Sequence, residues 1–390
     1  MPGGRNEDCK VRLPLLWLAG ADLRLTILAV PPVLPLIHHD LGLGETGTAA
    51  LTGLPILLLA LAAVPGSLLI ARVGARRALL VGLILIAGAS ALRGVGPAIP
   101  ILFAMTVAMG LGISITQPAL PSIVRLWFPA RSGLATAVYS NGLLIGEVLA
   151  ASLTIPLIVP LLRGSWEWSF AFWSLPVLIS ALLILLLTGH QPRAGGDAVV
   201  RWWPDWRNKQ TWLLSLTLGG ASVLYFGTNA FVPDFLQSTS RAGLIAATLA
   251  ATNAGQLPAS VLIAAFSRRL VGRRLPFIPL GALALAAVAG FAFLPDSWPV
   301  ACAAVIGFCT AFVLVLSLAL PPLLAGQDDV HRLSAALFTI SYALAFIGPL
   351  VGGRLWDATG VPQLAFVPAT LAALAVLLFP IRLQLPGDRA

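Results

Sequence analysis

The chain has 390 residues, 58% of them hydrophobic and only 10% charged, with a mean hydropathy of +0.93, a balance that no water-soluble domain of this size presents to solvent. Lipid is therefore the solvent for most of its surface, and with about 20 apolar residues per spanning helix there is room for roughly twelve spans and none for a soluble catalytic domain. The formal net charge of +9 lies in short Arg clusters between apolar runs, not on one amphipathic face, which argues against nucleic acid as a partner.

Met1 to Arg12 is short and charged and leads into an apolar run too long for a signal-peptide core, so it reads as the approach to an uncleaved first span. Hydropathy predicts spans over 14–37, 48–71, 78–95, 98–124, 132–162, 166–188, 211–236, 242–266, 275–294, 299–325, 332–353 and 363–385. Between the sixth and seventh lies the one long polar stretch, Gly189 to Gln210. The predicted fold is an all-α membrane protein of twelve transmembrane helices in two pseudo-symmetric six-helix bundles, 1–188 and 211–390, joined by a linker over 189–210.

Lys and Arg are distributed nineteen to four between the two sides of such a topology, with Arg24 inside the first span. That asymmetry predicts both termini in the cytoplasm of a multi-pass protein of the plasma (inner) membrane. The linker stretch Arg201-Trp202-Trp203-Pro204-Asp205-Trp206-Arg207-Asn208-Lys209 mixes indoles with cations. It suits the headgroup layer as an interfacial anchor, and a regulatory or partner site is the alternative.

The halves echo each other. Arg72-Val73-Gly74-Ala75-Arg76-Arg77 after span two resembles Leu270-Val271-Gly272-Arg273-Arg274 after span eight. Ser114…Pro118…Pro121 is matched by Ser317…Pro321-Pro322, and Gly146 by Gly348, all at an offset of about 200 residues, as expected of a duplicated bundle. The turn residues Arg72, Gly74, Arg76 and Arg77, with Gly272, Arg273 and Arg274, are candidates for a gate on the cytoplasmic side.

Arg24 stands in the middle of an apolar run, and a guanidinium cannot shed its proton to escape the cost of burial. It is either a ligand for an anionic solute or half of an internal salt bridge with Asp22 or Glu147. Glu147 in span five is either a proton-coupling group or a structural partner of Arg24 or Arg93. Gln117, Tyr139, Asn141, Tyr225, Asn229, Asn253, Gln256 and Tyr342 complete the candidates for a substrate site, the alternative being ordinary helix-to-helix hydrogen bonds. Prolines and glycines within the spans fit either rocking helices or routine membrane packing.

No enzyme constellation is present. His38, His39, His190 and His331 lie near span ends without a set of metal ligands. Cys9, Cys302 and Cys309 suit neither a disulfide framework nor zinc. Walker, nucleophile-elbow and HExxH sequences are missing. No cofactor and no metal are expected.

Several segments carry a resemblance over nearly the whole chain: Leu23-Arg24-Leu25…Pro31, Pro118-Ala119-Leu120-Pro121-Ser122…Phe128-Pro129, Gly133-Leu134-Ala135-Thr136-Ala137-Val138-Tyr139-Ser140, Trp166-Glu167-Trp168, Tyr225…Phe231-Val232-Pro233…Leu236 and Gly348-Pro349…Gly352…Asp357…Thr359-Gly360. With the basic Gly-Arg turn they resemble the major facilitator superfamily, and within it the cyanate-permease and nitroimidazole-transporter branch. That resemblance implies alternating access around a central site, usually with proton coupling, and small anions or small nitrogenous organics as substrates. Arg24 matches an intramembrane Arg of that branch. Two positions depart from the pattern: Ala71 stands where the superfamily turn usually has an acid, and Glu147 replaces a small residue.

The expected function is secondary transport of a small, anionic solute by a monomer, with a proton as coupling ion. The rival readings are a multidrug-type proton antiporter exporting lipophilic compounds and a membrane sensor that binds without transporting.

Overall fold

A computed structural model of the protein describes residues 3–42, 45–95, 98–189 and 201–388. The expected linker's first part, with His190 and Arg193, lies outside the described residues, as does Arg389. Among the described residues every regular element is a helix. In hydrocarbon each backbone N–H and C=O must find its partner inside its own segment, and helices do this without neighbours.

Twelve long helices follow in chain order: α1 (Val11–Ile37), α2 (Glu45–Val73), α3 (Ala75–Leu92), α4 (Ile99–Trp127), α5 (Ser132–Leu161), α6 (Trp166–Leu187), α7 (Lys209–Ser238), α8 (Ala242–Leu270), α9 (Phe277–Phe293), α10 (Trp298–Leu324), α11 (Val330–Thr359) and α12 (Pro362–Arg382). Ten of them are long and apolar enough to cross a bilayer on composition alone, and α7 and α9 complete the twelve. The expected spans agree to within a few residues. The largest difference is at α11, which continues past 353 as a more polar tail with Arg354 and Asp357 until Gly360, at φ 70°, ends it.

Proline shapes the interior of these helices. The first span breaks at Ala29, just before Pro31 and Pro32, and resumes as Val30–Leu41. In α5, Pro156 sits in a π-helical turn, Thr154–Ile158, whose Thr154 Oγ1 accepts from Trp173 Nε1 of α6 at 2.9 Å. Beyond the first span, exposed Asp40 accepts hydrogen bonds from His39 Nδ1 at 2.9 Å and Trp166 Nε1 at 2.8 Å. These bonds, His39's foremost, hold its carboxyl below the usual carboxylate value.

Two compact units divide the chain: Met1–Trp203 with Gln327–Ala335, and Pro204–Gly326 with Ala336–Ala390. The segment at the start of α11 belongs to the first unit because His331 Nε2 meets the Arg201 carbonyl at 3.1 Å and Arg332 Nε donates to the Trp203 carbonyl at 2.8 Å. On the other side of the same strand, Ser67 Oγ of α2 donates to the Trp202 carbonyl at 2.7 Å.

Within the first unit, α1 and α5 lie backbone against backbone. A Cβ added at Gly20 would strike the Tyr139 carbonyl, one at Gly142 the Trp17 carbonyl and one at Gly146 the Ala21 carbonyl. Within the second unit, α8 and α10 repeat the device: Gly255 lies on the Ala304 carbonyl and Gly307 on that of Thr252. Lipid offers no hydrophobic drive for helices to associate, so close approach of small residues supplies the dispersion contact that holds them.

Gly142→Val is expected to destabilise the protein by about 1–3 kcal/mol or more, since the obstacle is rigid backbone rather than a flexible side chain. Thermal unfolding in detergent, compared with Gly53→Ala, where nothing lies within 4 Å of the added Cβ, checks this. Equal melting temperatures for the two variants would show that the seam is not close-packed.

Candidate functional site

Arg24 sits midway along α1. From Ala19 to Thr26 every residue is buried except Arg24, which keeps part of its surface accessible. It shares a stripe of α1 with Trp17, seven residues earlier and on the same face after two turns. Trp17 Nε1 donates to Asn141 Oδ1 of α5 at 2.9 Å, so Asn141 is brought to that stripe. Tyr139 is buried on α5 where its carbonyl packs on Gly20, and Gln117 is buried on α4. Glu147 is 6% exposed and follows Gly146, which lies on Ala21. Of the sequence candidates in the first half, Arg24, Tyr139, Asn141 and Glu147 thus all lie along the α1–α5 seam.

Asp22 is turned away from Arg24. Two residues along an α-helix are about 160° apart around the axis, and Asp22 is completely buried while Arg24 is not. The Arg24–Asp22 salt bridge, one of the alternatives open from sequence, is therefore not formed through this geometry.

The second unit gathers its candidates without any charge. Asn253 Oδ1 of α8 accepts from Tyr225 Oη at 2.9 Å and from Gln256 Nε2 at 3.1 Å, and Asn253 Nδ2 donates to the Leu249 carbonyl at 3.0 Å. Asn229 Nδ2 donates back to the Tyr225 carbonyl of its own helix at 2.8 Å. Tyr342 of α11 stacks on Phe338 and meets Phe226, the neighbour of Tyr225, at a centroid distance of 6.5 Å. Two amides and a phenol sharing one acceptor form a fixed polar surface with aromatic walls, suited to orienting a small solute rather than neutralising one.

The basic turns hold each unit together. Gly74 and Gly272 both take a left-handed backbone, at φ 86° and 80°, where a side chain would be strained. Two residues after each comes an arginine that caps a distant helix end. Arg76 is buried, and donates from Nε to Thr188 Oγ1 at 2.7 Å and from Nη2 to the carbonyls of Leu185 at 3.0 Å and Thr188 at 2.6 Å, at the end of α6. Arg274 donates from Nη1 to the Ile381 carbonyl at 3.2 Å, at the end of α12, and pairs with Asp388 at 3.6 Å. A cation here meets the negative end of the helix dipole and its unsatisfied carbonyls. Arg72, Arg77 and Arg273 are exposed beside these caps.

Sequence reasoning missed one buried ion. Arg93, counted among the outer-side cations, is 0% exposed at the end of α3. Its Nη2 donates to the Thr26 carbonyl at 2.8 Å and to Ser90 Oγ at 3.1 Å, and its guanidinium lies 4.4 Å from the centroid of Phe170. The available signal was length: α3 has 18 residues, about 27 Å of helix, which leaves a residue at its end still at hydrocarbon depth.

Twelve apolar helices with repeated turns, carrying interior polar groups but no assembly of catalytic side chains among the described residues, define a multi-pass membrane transporter and not an enzyme. Residues 16–349 match the Major Facilitator Superfamily, and the chain belongs to that family. It is 27% identical over 377 residues to the cyanate transport protein CynX of Escherichia coli (strain K12), covering 95% of this chain and 96% of that protein. To the 2-nitroimidazole transporter of the same organism it is 26% identical over 378 residues, covering 93% of each. These likenesses agree with the branch expected from sequence. The crystal structure of the superfamily transporter FucP in its outward conformation matches with a TM-score of 0.75 at 14% identity, covering 94% of this chain and 98% of that one. That of the human organic anion transporter MFSD10 matches with 0.71 at 15%, covering 98% and 100%. Both matches show the shared fold, and the protein is a secondary transporter of small molecules.

A double-mutant cycle of Tyr225→Phe and Asn253→Ala is expected to give a coupling of about 1 kcal/mol in the stability of the purified protein, the net worth of one hydrogen bond. Strictly additive effects would mean that the pair is a contact without energetic consequence.

Proposed function

We propose that the protein carries a small anion by alternating access, coupled to a proton, and that Arg24 binds the anion. The observation that carries this reading is the partial exposure of a permanently charged guanidinium at the middle of a helix whose neighbouring residues are all buried. A fixed fork of N–H donors in a low-dielectric setting suits a small carboxylate-like or linear anion. Trp17 and Asn141 supply an aromatic face and an amide beside it. The two relatives named above transport cyanate and 2-nitroimidazole, both small and nitrogenous, which makes cyanate the first solute to test and the neutral nitroimidazole its control.

The same reading places two six-helix bundles, 1–188 and 211–390, on either side of the linker over 189–210, with both termini in the cytoplasm as the nineteen-to-four distribution of Lys and Arg favours. It takes the plasma membrane as the site and the monomer as the working unit. Proton coupling requires a buried carboxyl that can change its charge. Glu147 is the carboxyl that the sequence brings forward.

Uptake of radiolabelled cyanate into sealed proteoliposomes tests the reading. Arg24→Ala is expected to weaken cyanate binding by about tenfold or more, the loss of a charge-assisted hydrogen bond, with Arg24→Lys restoring part of it. Unchanged cyanate affinity in both variants, or flux of 2-nitroimidazole alone, would remove the anion site.

A further inference from the structure

On the side of α1 turned away from Arg24 lies a cluster of buried polar atoms that make no hydrogen bond. It comprises both carboxyl oxygens of Asp22, Thr26 Oγ1, Ser180 Oγ, and Nε and Nη1 of Arg93. Asp22 and Thr26 share a face of α1, one turn and roughly 6 Å of rise apart. Arg93 reaches the Thr26 carbonyl from the end of α3, and Ser180 of α6 is the polar group facing Asp22. Three helices of one unit thus enclose a completely buried acid with a completely buried base one turn away.

Such an acid has two stable conditions. As a carboxylate with no donor it costs several kcal/mol, so it is held as the neutral acid. With a guanidinium delivering N–H groups to it, the ionised form is favoured instead. Arg93 keeps two such groups, at Nε and Nη1, uncommitted in this state. A small shift of α3 along α1 decides between the two conditions.

We propose that Asp22 carries the coupled proton, with Arg93 as the positioning residue that sets whether the proton is held or released. This rests on the proton-coupled reading above and assigns its proton to a residue other than Glu147. On release the O–H bond of Asp22 breaks, its electron pair stays on the carboxylate, the proton passes to water, and the new charge is met by Arg93. Loading runs in reverse from the other side.

The charged groups around Asp22 are few. From α3 comes Arg93. From α5 comes Glu147, beside the Gly146 that lies on Ala21 and engaged in an interaction of its own. On α1 Arg24 points the opposite way. Between Ile99 and Val124, α4 has no ionisable side chain, and the only one in α6 is Glu167 in its first turn.

Infrared spectra of the purified protein across pH, joined to cyanate transport in proteoliposomes, test the proposal. The wild type is expected to show the carbonyl band of a protonated carboxylic acid at neutral pH, which Asp22→Asn removes and Glu147→Gln leaves in place. Arg93→Lys, which keeps the charge but loses the fixed fork, is expected to move the titration of that band to higher pH. In liposomes, the ratio of gradient-driven cyanate accumulation to cyanate exchange is expected to fall about tenfold in Asp22→Asn, with Asp22→Glu regaining part of it. A wild type without the band, a band that survives Asp22→Asn, or an unchanged ratio in that variant overturns the assignment to Asp22. A titration unmoved in Arg93→Lys overturns the positioning role. A wild type that ignores the pH gradient overturns the coupling reading itself, whatever the spectra show.

Discussion

An ionised side chain taken out of water costs several kcal/mol unless other groups take over from its hydration shell. That constraint organises the first half of this protein. Arg24 keeps part of its surface accessible. Arg93 accepts complete burial with a backbone carbonyl, a hydroxyl and the face of Phe170 around it. Arg76 spends its donors on the carbonyls at the end of α6. Each solution is different, and each fixes what its arginine does: Arg76 closes a helix end, Arg93 sits poised beside an acid, and Arg24 is left able to meet a solute.

The two halves share a scaffold but not a chemistry. Gly74 and Gly272, 198 residues apart, adopt the same left-handed turn, and Arg76 and Arg274, at the same offset, cap the last helix of their own half. Close glycine approaches hold α1 to α5 and α8 to α10. Within the spans of the second half, however, charges stand only within about two turns of a helix end, and the interior polar groups are Tyr225, Asn253 and Gln256 in one neutral network. Duplication preserved what packing and helix termini demand. Charge, which is costly to keep inside a membrane, survived in the interior of only one copy.

Most of the fold was legible because the bilayer reads sequence by hydropathy. Spans expected at 166–188 and 211–236 correspond to Trp166–Leu187 and Lys209–Ser238. The second-half candidates were legible for the same reason: an amide or phenol in an apolar run must find a partner, and these found each other. The fate of Arg93 was not legible, because counting cations by side treats every arginine near a span end as solvated, whereas here Phe170 and Thr26 come from other helices to receive it. The basic turns were read as a gate, yet Arg76 and Arg274 bind the ends of helices more than a hundred residues on. Sequence shows a cation after a tight turn. Only the tertiary arrangement shows which carbonyls it meets.

Arg24 and Asp22 are two residues apart, on opposite sides of one helix. A helix is stiff along its hydrogen-bonded axis, so a tilt or rotation of α1 that changes the surroundings of one must change those of the other. Coupling between two sites is a free energy shared by both, and it is reciprocal: whatever a bound anion does to the proton affinity of the buried acid, the proton does to the anion. Charge supplies the sign. An anion settling against Arg24 brings negative charge near the Asp22 carboxyl, separated from it by the width of a helix and little water, and so favours the neutral acid. Binding of the solute and holding of the proton then reinforce each other, which is the order that co-transport of an anion with a proton requires.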